Sequence, residues 1–217
     1  MAKFLRNACK QTVIVPICKN KNENISDAGN YKPVSLATII SKLFEHYLSC
    51  ISPLLATTDN QFGFKPKHGT DMCILLLKQT VSYYVTKDSP VFSAFLDASK
   101  AFDRTNHNLL FAKLIKRNVP MCIVTLFIVE LVQATDHASK MGYQLLIPFT
   151  VTNGVRQGGV LSPYLFAVYL DELSIQVGSA RVGCTVGNMV VNHLMFADGM
   201  CVQPQYSWAT MSSEYLW

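Results

Sequence analysis

Metal-spaced cysteines, long apolar runs and charged residues are all scarce in this sequence, and each scarcity removes a class of protein. The seven cysteines, at 9, 18, 50, 73, 122, 184 and 201, are odd in number and never form CxxC, and the five histidines never fall at zinc-ligand intervals. This favours scattered core thiols in a reducing compartment over a zinc or disulfide framework. The longest mainly apolar run, Met121–Val129, is too short to span a bilayer and is followed by Glu130. The N-terminal MAKFLRNACKQ has basic residues but no apolar h-region behind them, so the expectation is an intracellular chain, in cytoplasm or nucleus, neither secreted nor membrane-bound. Internal repeats and low-complexity segments are also missing. Only 15% of the 217 residues are charged and 50% are hydrophobic, which describes a globular chain with one sizeable core, or a core and a small lobe.

The net charge of +5 is unevenly placed. Residues 1–70 hold nine Lys/Arg against four acids, whereas residues 71–217 hold ten of each sign. A basic N-terminal region beside a neutral one suits an anionic partner such as nucleic acid or a triphosphate, although the same charges also describe an ordinary solvated lysine surface.

The periodicity gives the following elements. Val13–Lys19 reads as a strand, followed by a polar turn at 20–29 and Tyr31-Lys32-Pro33, a basic hairpin with Lys19 and Lys32 on its arms. Apolar positions at 36, 39, 40, 43, 44, 47 and 48 predict an amphipathic helix over Leu36–Leu48 with Ser35 as N-cap. His46 falls on its polar face. Gln61–Thr70, QFGFKPKHGT, is a Gly/Pro-punctuated basic loop, and Asp71–Thr86 is a second helix. Asn108–Arg117 and Met121–Gln133 are helices parted by Pro120. Gly142–Thr152 alternates as strand or hairpin, and Ser162-Pro163 opens a helix after the glycines of Gly154–Phe166. Arg181–Val202 reads as two strands with Asp198-Gly199 at the tip, and Pro204–Trp217 as a ragged end.

Chemistry concentrates at two strand ends. In AFLDASKAFD the β-prone run Val91–Leu96 stops on Asp97, and a continuous apolar run of this kind reads as a buried strand. In MVVNHLMFADG a second run stops at Asp198, 101 residues later. Two strand-end carboxylates are what a two-metal phosphoryl-transfer site requires, because oxygen donors bind Mg²⁺ and two ions stabilise the attacking and leaving oxygens. Taken alone, Asp198-Gly199 is a favoured hairpin turn, and Asp198 then serves the turn and not a metal. Three glycines in Gly154–Gly159 let a backbone approach a ligand closely, and a glycine turn feeding a helix N-terminus is a ready anion site.

Together these segments resemble the reverse transcriptases of non-LTR retrotransposons. NYKPVSLATIISKLFEHYL is similar to the family's segment joining fingers and palm, and QFGFKPKHGT to its next fingers motif. FLDASKAFDRTNHNLL looks like its first palm motif, GVRQGGVLSPYLFAVYLDEL like its primer- and nucleotide-gripping motif, and FADG falls where its metal-binding hairpin belongs. The match covers roughly residues 13–202, in order. The resemblance implies an α+β right hand in which an antiparallel palm sheet is backed by helices. Residues 1–88 would form a mainly basic fingers region with connecting helices, 89–203 the palm, interleaved with fingers, and 204–217 a ragged end.

The resemblance also implies roles. Asp97 and Asp198 would be catalytic carboxylates bridging two Mg²⁺ ions, with Mn²⁺ a possible substitute, and the Ala98 carbonyl would assist one ion. Phe102 would lie under the incoming sugar and reject a 2′-hydroxyl. Gln157, Gly158 and Gly159 would line the floor under the nucleotide and template base. Lys19, Lys32, Lys65 and Lys67 would hold triphosphate or template phosphates. The implied partners are an RNA template, a DNA primer, deoxynucleoside triphosphates and other retrotransposon-encoded domains. Asp103 is expected to cap the next helix or pair with a base, and His107 to be structural.

Two departures stand out. The family's hairpin reads Ala-Asp-Asp, and this chain has Ala197-Asp198-Gly199, one carboxylate fewer. Only 19 residues follow Asp198, where the family has further palm strands and a helical thumb. The expectation is therefore a truncated and catalytically impaired RNA-directed DNA polymerase. The alternative is a non-catalytic nucleic-acid-binding remnant. A two-metal nuclease accounts for the carboxylates but not for Phe102 or the glycine segment.

Overall fold

A computed structural model describes residues 11–36, 38–131, 136–141, 144–145, 152–180 and 182–203. The contacts divide the chain into two units, one of residues 1–56 and 100–169 and the other of residues 57–99 and 170–217. The mixture of helices and largely antiparallel sheets is an α+β fold.

In the first unit, β1 (Gln11–Cys18) pairs antiparallel with β2 (Tyr31–Leu36), from Val13 opposite Leu36 to Cys18 opposite Tyr31. The turn between them is closed by Lys19 N–H donating to Asn30 O at 2.8 Å, and by the buried Asn30 amide, which donates to Asn20 O at 2.8 Å. β4 (Asp136–Met141) lies parallel to β1 and β5 (Gln144–Leu145) antiparallel to β4, giving the order β2-β1-β4-β5. Pro16 and Pro33 face one another in the hairpin, and the β4 pairing ends at Ile14, so neither proline removes a ladder donor from a position flanked on both sides. β4 has no period-2 apolar signal and was not legible in the sequence. Of the strand expected at 142–152, Gln144–Leu145 is seen, and most of the remainder lies outside the described residues.

The first helix, α1 (Ile39–Leu48), starts three residues later than its apolar spacing predicts. Ser35 is not its N-cap. Ser35 sits in β2, opposite Ile14, because the Tyr31–Leu36 backbone is taken up by the β1 ladder. Ile39 and Leu43 are exposed whereas Glu45 is buried. His46 is exposed, as its polar-face position implies. Helices α3 (His107–Lys116) and α4 (Met121–Leu131) follow the predicted spans. Their buried residues Leu110, Leu114, Val124 and Phe127, with Leu165 and Phe166 of α5 (Ser162–Ser179), supply this unit's core. The division between the units falls within α5, after Tyr169.

In the second unit, α2 (Thr70–Val85) covers a three-stranded antiparallel sheet in the order β3-β9-β8, formed by Ala94–Asp97, Gly199–Val202 and His193–Phe196. Phe62, Val191, Leu194 and Cys201 form its buried cluster, against which Cys73, Leu76, Leu77 and Phe196 pack. The region 181–202 holds two hairpins and not one, because β6 (Cys184–Val186) and β7 (Met189–Val191) pair with each other ahead of β8–β9. β3 is not the buried strand its apolar run predicts. Among the described residues it is the edge strand, paired with β9 alone, and Phe95 is 73% exposed. The ladder from β3 to β9 lies wholly within this unit, which takes in residues 57–99.

Candidate active site

The β3–β9 register brings the two sequence-predicted carboxylates to one end of the second unit's sheet. Asp97, the last residue of β3, lies opposite Gly199, the first of β9. Facing Cα atoms in such a ladder are about 4.5–5.5 Å apart, and Asp198 immediately precedes Gly199. Phe196 pairs with Gly199, so the two turn residues are Ala197 and Asp198 rather than Asp198 and Gly199. The reason lies outside the hairpin: Ala197 holds φ +56° and its peptide is bound by the side chain of Gln61. Asp97 is exposed, Asp198 half-buried, and the Ala98 carbonyl continues the chain beyond β3.

The donors present fit a hard divalent cation. Two carboxylates and a backbone carbonyl offer oxygen only, as Mg²⁺ prefers, and leave coordination positions for water. Among the described residues no group of three or more His, Cys, Asp or Glu side chains gathers, so a zinc-like cage is not formed. The thiols of Cys73, Cys184 and Cys201 are pushed up by burial and stay protonated. His193, at the far end of β8, is fully buried and lowered to about 4 by desolvation. Its ring nitrogens are engaged by Ser174 Oγ at 2.7 Å and Asn192 Oδ1 at 2.7 Å.

The first unit holds Lys19, Lys32, Phe102, Gln157, Gly158 and Gly159 of the predicted nucleotide-contact residues, and the second holds Lys65 and Lys67. Phe102 stacks on the buried Phe166 at 4.5 Å with rings 17° apart, and remains half-exposed. The glycine segment is sewn to it: Val155 N–H donates to Phe102 O at 2.8 Å and Gly154 N–H to Thr105 O at 2.7 Å. Gly154 has φ +95°, and a Cβ there would stand 2.9 Å from Phe102 O. His107 is structural as expected, buried with Nε2 at 2.6 Å from Gly154 O. Gln157 is fixed through its carbonyl, which accepts from Ser35 N–H at 2.8 Å, and through its amide, which donates to Asp103 Oδ1 at 3.0 Å. Its Oε1 is buried with no hydrogen-bond partner among the described residues. Gly158, with φ +106°, would bring a Cβ to 3.0 Å from Ser35 O.

Asp103 caps no helix. Asn106 caps α3 by accepting from Leu109 N–H at 3.1 Å, and Asp103 is occupied by Gln157. The turn ahead of α5 is not an open anion site either, because the buried Glu45 carboxylate already accepts from Val160 N–H. Glu45 was invisible in the sequence, where it reads as one more helix-surface acid. Among the lysines, Lys32 and Lys67 are exposed and Lys19 Nζ donates to Gly29 O at 3.0 Å. Lys65 is turned inward onto the carbonyls of Thr57 at 3.1 Å and Thr58 at 2.6 Å. Burial lowers its pKa, against the opposing pull of Asp59 and Asp171.

Helices with largely antiparallel sheets make this an α+β fold, in which strand-end acids, the Phe102 stack and the glycine segment follow one another along the chain. Residues 17–203 match the family model described as reverse transcriptase (RNA-dependent DNA polymerase), and the chain belongs to that family. Its curated relatives include the RNA-directed DNA polymerase from mobile element jockey of Drosophila melanogaster, 30% identical over 78% of this chain and 19% of that protein. The Pol polyprotein of the type-1 retrotransposable element R2 of Popillia japonica is 24% identical over 88% of this chain and 26% of that protein. The chain thus spans a fifth to a quarter of the length of these non-LTR retrotransposon proteins. A telomerase structure from Candida albicans superposes with a TM-score of 0.58 at 10% identity, covering 95% of this chain and 38% of that one, a likeness of fold.

Proposed function

We propose that this chain supplies the fingers and palm of an RNA-directed DNA polymerase, with Asp97 and Asp198 as the ligands of two Mg²⁺ ions. The observation that supports the reading is the β3–β9 register, which puts Asp97 opposite Gly199, the residue next to Asp198. When bound, two such ions stabilise the attacking and leaving oxygens of an in-line phosphoryl displacement. Asp97 and Asp198 hold and orient them, and the Ala98 carbonyl adds a neutral donor. Phe102, braced by Phe166, carries the sugar-selecting surface. Gln157, held by Asp103 and Ser35, lines the floor under nucleotide or template, and Lys19, Lys32 and Lys67 bind phosphates. Lys65 contributes less, since two of its three donors are spent internally. RNA template, DNA primer and deoxynucleoside triphosphates are the proposed partners; a telomerase neighbour was solved with a fragment of telomeric RNA.

Gly199 favours an impaired enzyme. With two carboxylates in place of three, transition-state stabilisation falls by several kcal/mol, roughly a hundredfold or more in rate. The same residue keeps the non-catalytic remnant as the second reading. Primer extension on an RNA template with Mg²⁺ or Mn²⁺ separates them: extension abolished by Asp97→Ala supports the enzyme. No extension, in this chain or in Gly199→Asp with a thumb domain appended from a relative, supports the remnant.

A further inference from the structure

We propose that Gln61 is a positioning residue for the cation site: its buried side-chain amide grips the Ala197 peptide and thereby fixes Asp198. The proposal rests on Asp198 being a cation ligand, as set out above. Gln61 is 1% exposed and lies 136 residues from Ala197. Its Oε1 accepts from Ala197 N–H at 3.1 Å and from Gly63 N–H at 2.8 Å, and its Nε2 donates to Ala197 O at 3.2 Å. One side chain therefore satisfies both the donor and the acceptor of the residue preceding Asp198.

The backbone around Gln61 explains how it reaches the turn. Met195 N–H donates to Asn60 O at 2.8 Å and Phe62 N–H to Met195 O at 2.8 Å, with Gln61 and Met195 bridged in parallel. Residues 60–62 thus run alongside β8 as a short added strand. At Ala197 the backbone of β8 turns away, and the amide continues the ladder where no main-chain group follows. Gly63 closes the contact, since a Cβ there would stand 2.3 Å from Ala197 N and 2.9 Å from Ala197 Cα. Glycine permits that approach.

The grip matters because Ala197 sits at φ +56°, a left-handed conformation that a residue with a Cβ adopts reluctantly. Released, the turn relaxes towards extended backbone and Asp198 rotates with it. Held, relaxation leaves a buried amide unsatisfied, which opposes the motion. The QFGF segment, read from sequence as a basic loop, so acquires a role through its one uncharged polar side chain.

Backbone-amide exchange followed by NMR, paired with Mn²⁺ titration by electron paramagnetic resonance, tests this on the full chain. In the unmodified protein Ala197 N–H should exchange as slowly as Phe62 N–H, although it lies in a two-residue turn; exchange at the rate of an unstructured peptide overturns the proposal without any variant. Gln61→Met preserves length and removes all three bonds. It should speed Ala197 exchange at least tenfold relative to Leu194 and weaken Mn²⁺ binding about tenfold. Gln61→Glu keeps the accepting oxygen and should fall between, which decides the matter if Gln61→Met fails to fold. A residue that only fills the core would lower the melting temperature and leave exchange at Ala197, relative to Leu194, and cation affinity unchanged. Asp198→Asn separates the two ideas. If it leaves Mn²⁺ binding intact, the cation assignment fails; if it abolishes binding while Gln61→Met alters nothing, the Gln61 grip alone fails.

Discussion

Restoring a carboxylate with Gly199→Asp probes the β3–β9 register and the cation site together. Gly199 is the partner of Asp97, and directly opposed residues of an antiparallel pair send their side chains to the same face, with Cβ atoms about 4.5–5.5 Å apart. A Cβ at Gly199 meets only Phe196 O, at 3.5 Å, an ordinary van der Waals contact, and the backbone there is not in the left-handed region. The fold therefore accepts the side chain, and the consequence is electrostatic. Two like charges about 5 Å apart repel by about 1 kcal/mol in water and about 3 kcal/mol at the effective dielectric of a protein surface. Without cation the variant should lose about 1–2 kcal/mol of stability, because Asp97 is exposed and screened. With cation the sign reverses: a third carboxylate should tighten Mn²⁺ binding at least tenfold, equivalent to about 1.4 kcal/mol. Thermal melts with and without Mn²⁺ read both terms, and adding Asp97→Asn forms a double-mutant cycle in which the repulsion should vanish. A stability loss well above 3 kcal/mol that Mn²⁺ does not reverse, or a cycle with no coupling, would refute the opposed placement of 97 and 199.

Gly63→Ala should strain the Ala197 turn from the other side and cost about 1–3 kcal/mol, measurable by denaturant melts, since its Cβ meets backbone and not a flexible side chain. Glu45→Gln should cost about 1 kcal/mol or more, and Glu45→Ala about 1–3 kcal/mol, by weakening or orphaning the Val160 N–H, with the same readout. His193 has a folded pKa of about 4, below its ordinary 6.5, so its contribution is complete above pH 6.5 and is lost as pH falls towards 4. The loss is on the order of 3 kcal/mol, and His193→Gln should flatten that part of the stability–pH curve. Phe102→Ala should remove an aromatic pair worth about 1 kcal/mol and relax discrimination against ribonucleotides; unchanged selectivity in single-nucleotide extension would leave Phe102 a packing residue only.

The carboxylates and the helices with strong periodicity were legible because local pattern determines them. Asp97 and Asp198 close β-prone runs, and α2, α3 and α4 keep 3.6-residue spacing within a residue or two of their observed ends. What could not be read arises from partners distant in sequence. Ser35 looks like a helix cap until the β1 ladder claims its backbone, and Glu45 looks like a surface acid until Val160 N–H appears 115 residues away. The Ala197-Asp198 turn violates the local preference for Asp-Gly because Gln61, from another part of the chain, decides the register. β3 shows the same effect reversed: its apolar run predicts burial, and its edge position leaves Leu96 49% exposed.

That edge strand has a consequence for biosynthesis. Ala94–Asp97 finds its ladder partner only in Gly199–Val202, more than one hundred residues later in the chain. At about 5–20 residues per second, the nascent strand waits roughly 5–20 s on the ribosome with Phe95 and Leu96 uncovered and its hydrogen-bonding edge open. Closing so long a loop is entropically late, and an apolar unpaired strand is a template for pairing with another chain. The Asp97 and Asp198 carboxylates thus come to one sheet end only when one of the final described strands docks, so the interval before they do is also the interval of greatest exposure to aggregation. Chaperone demand, more than folded-state stability, should then limit the yield of this protein.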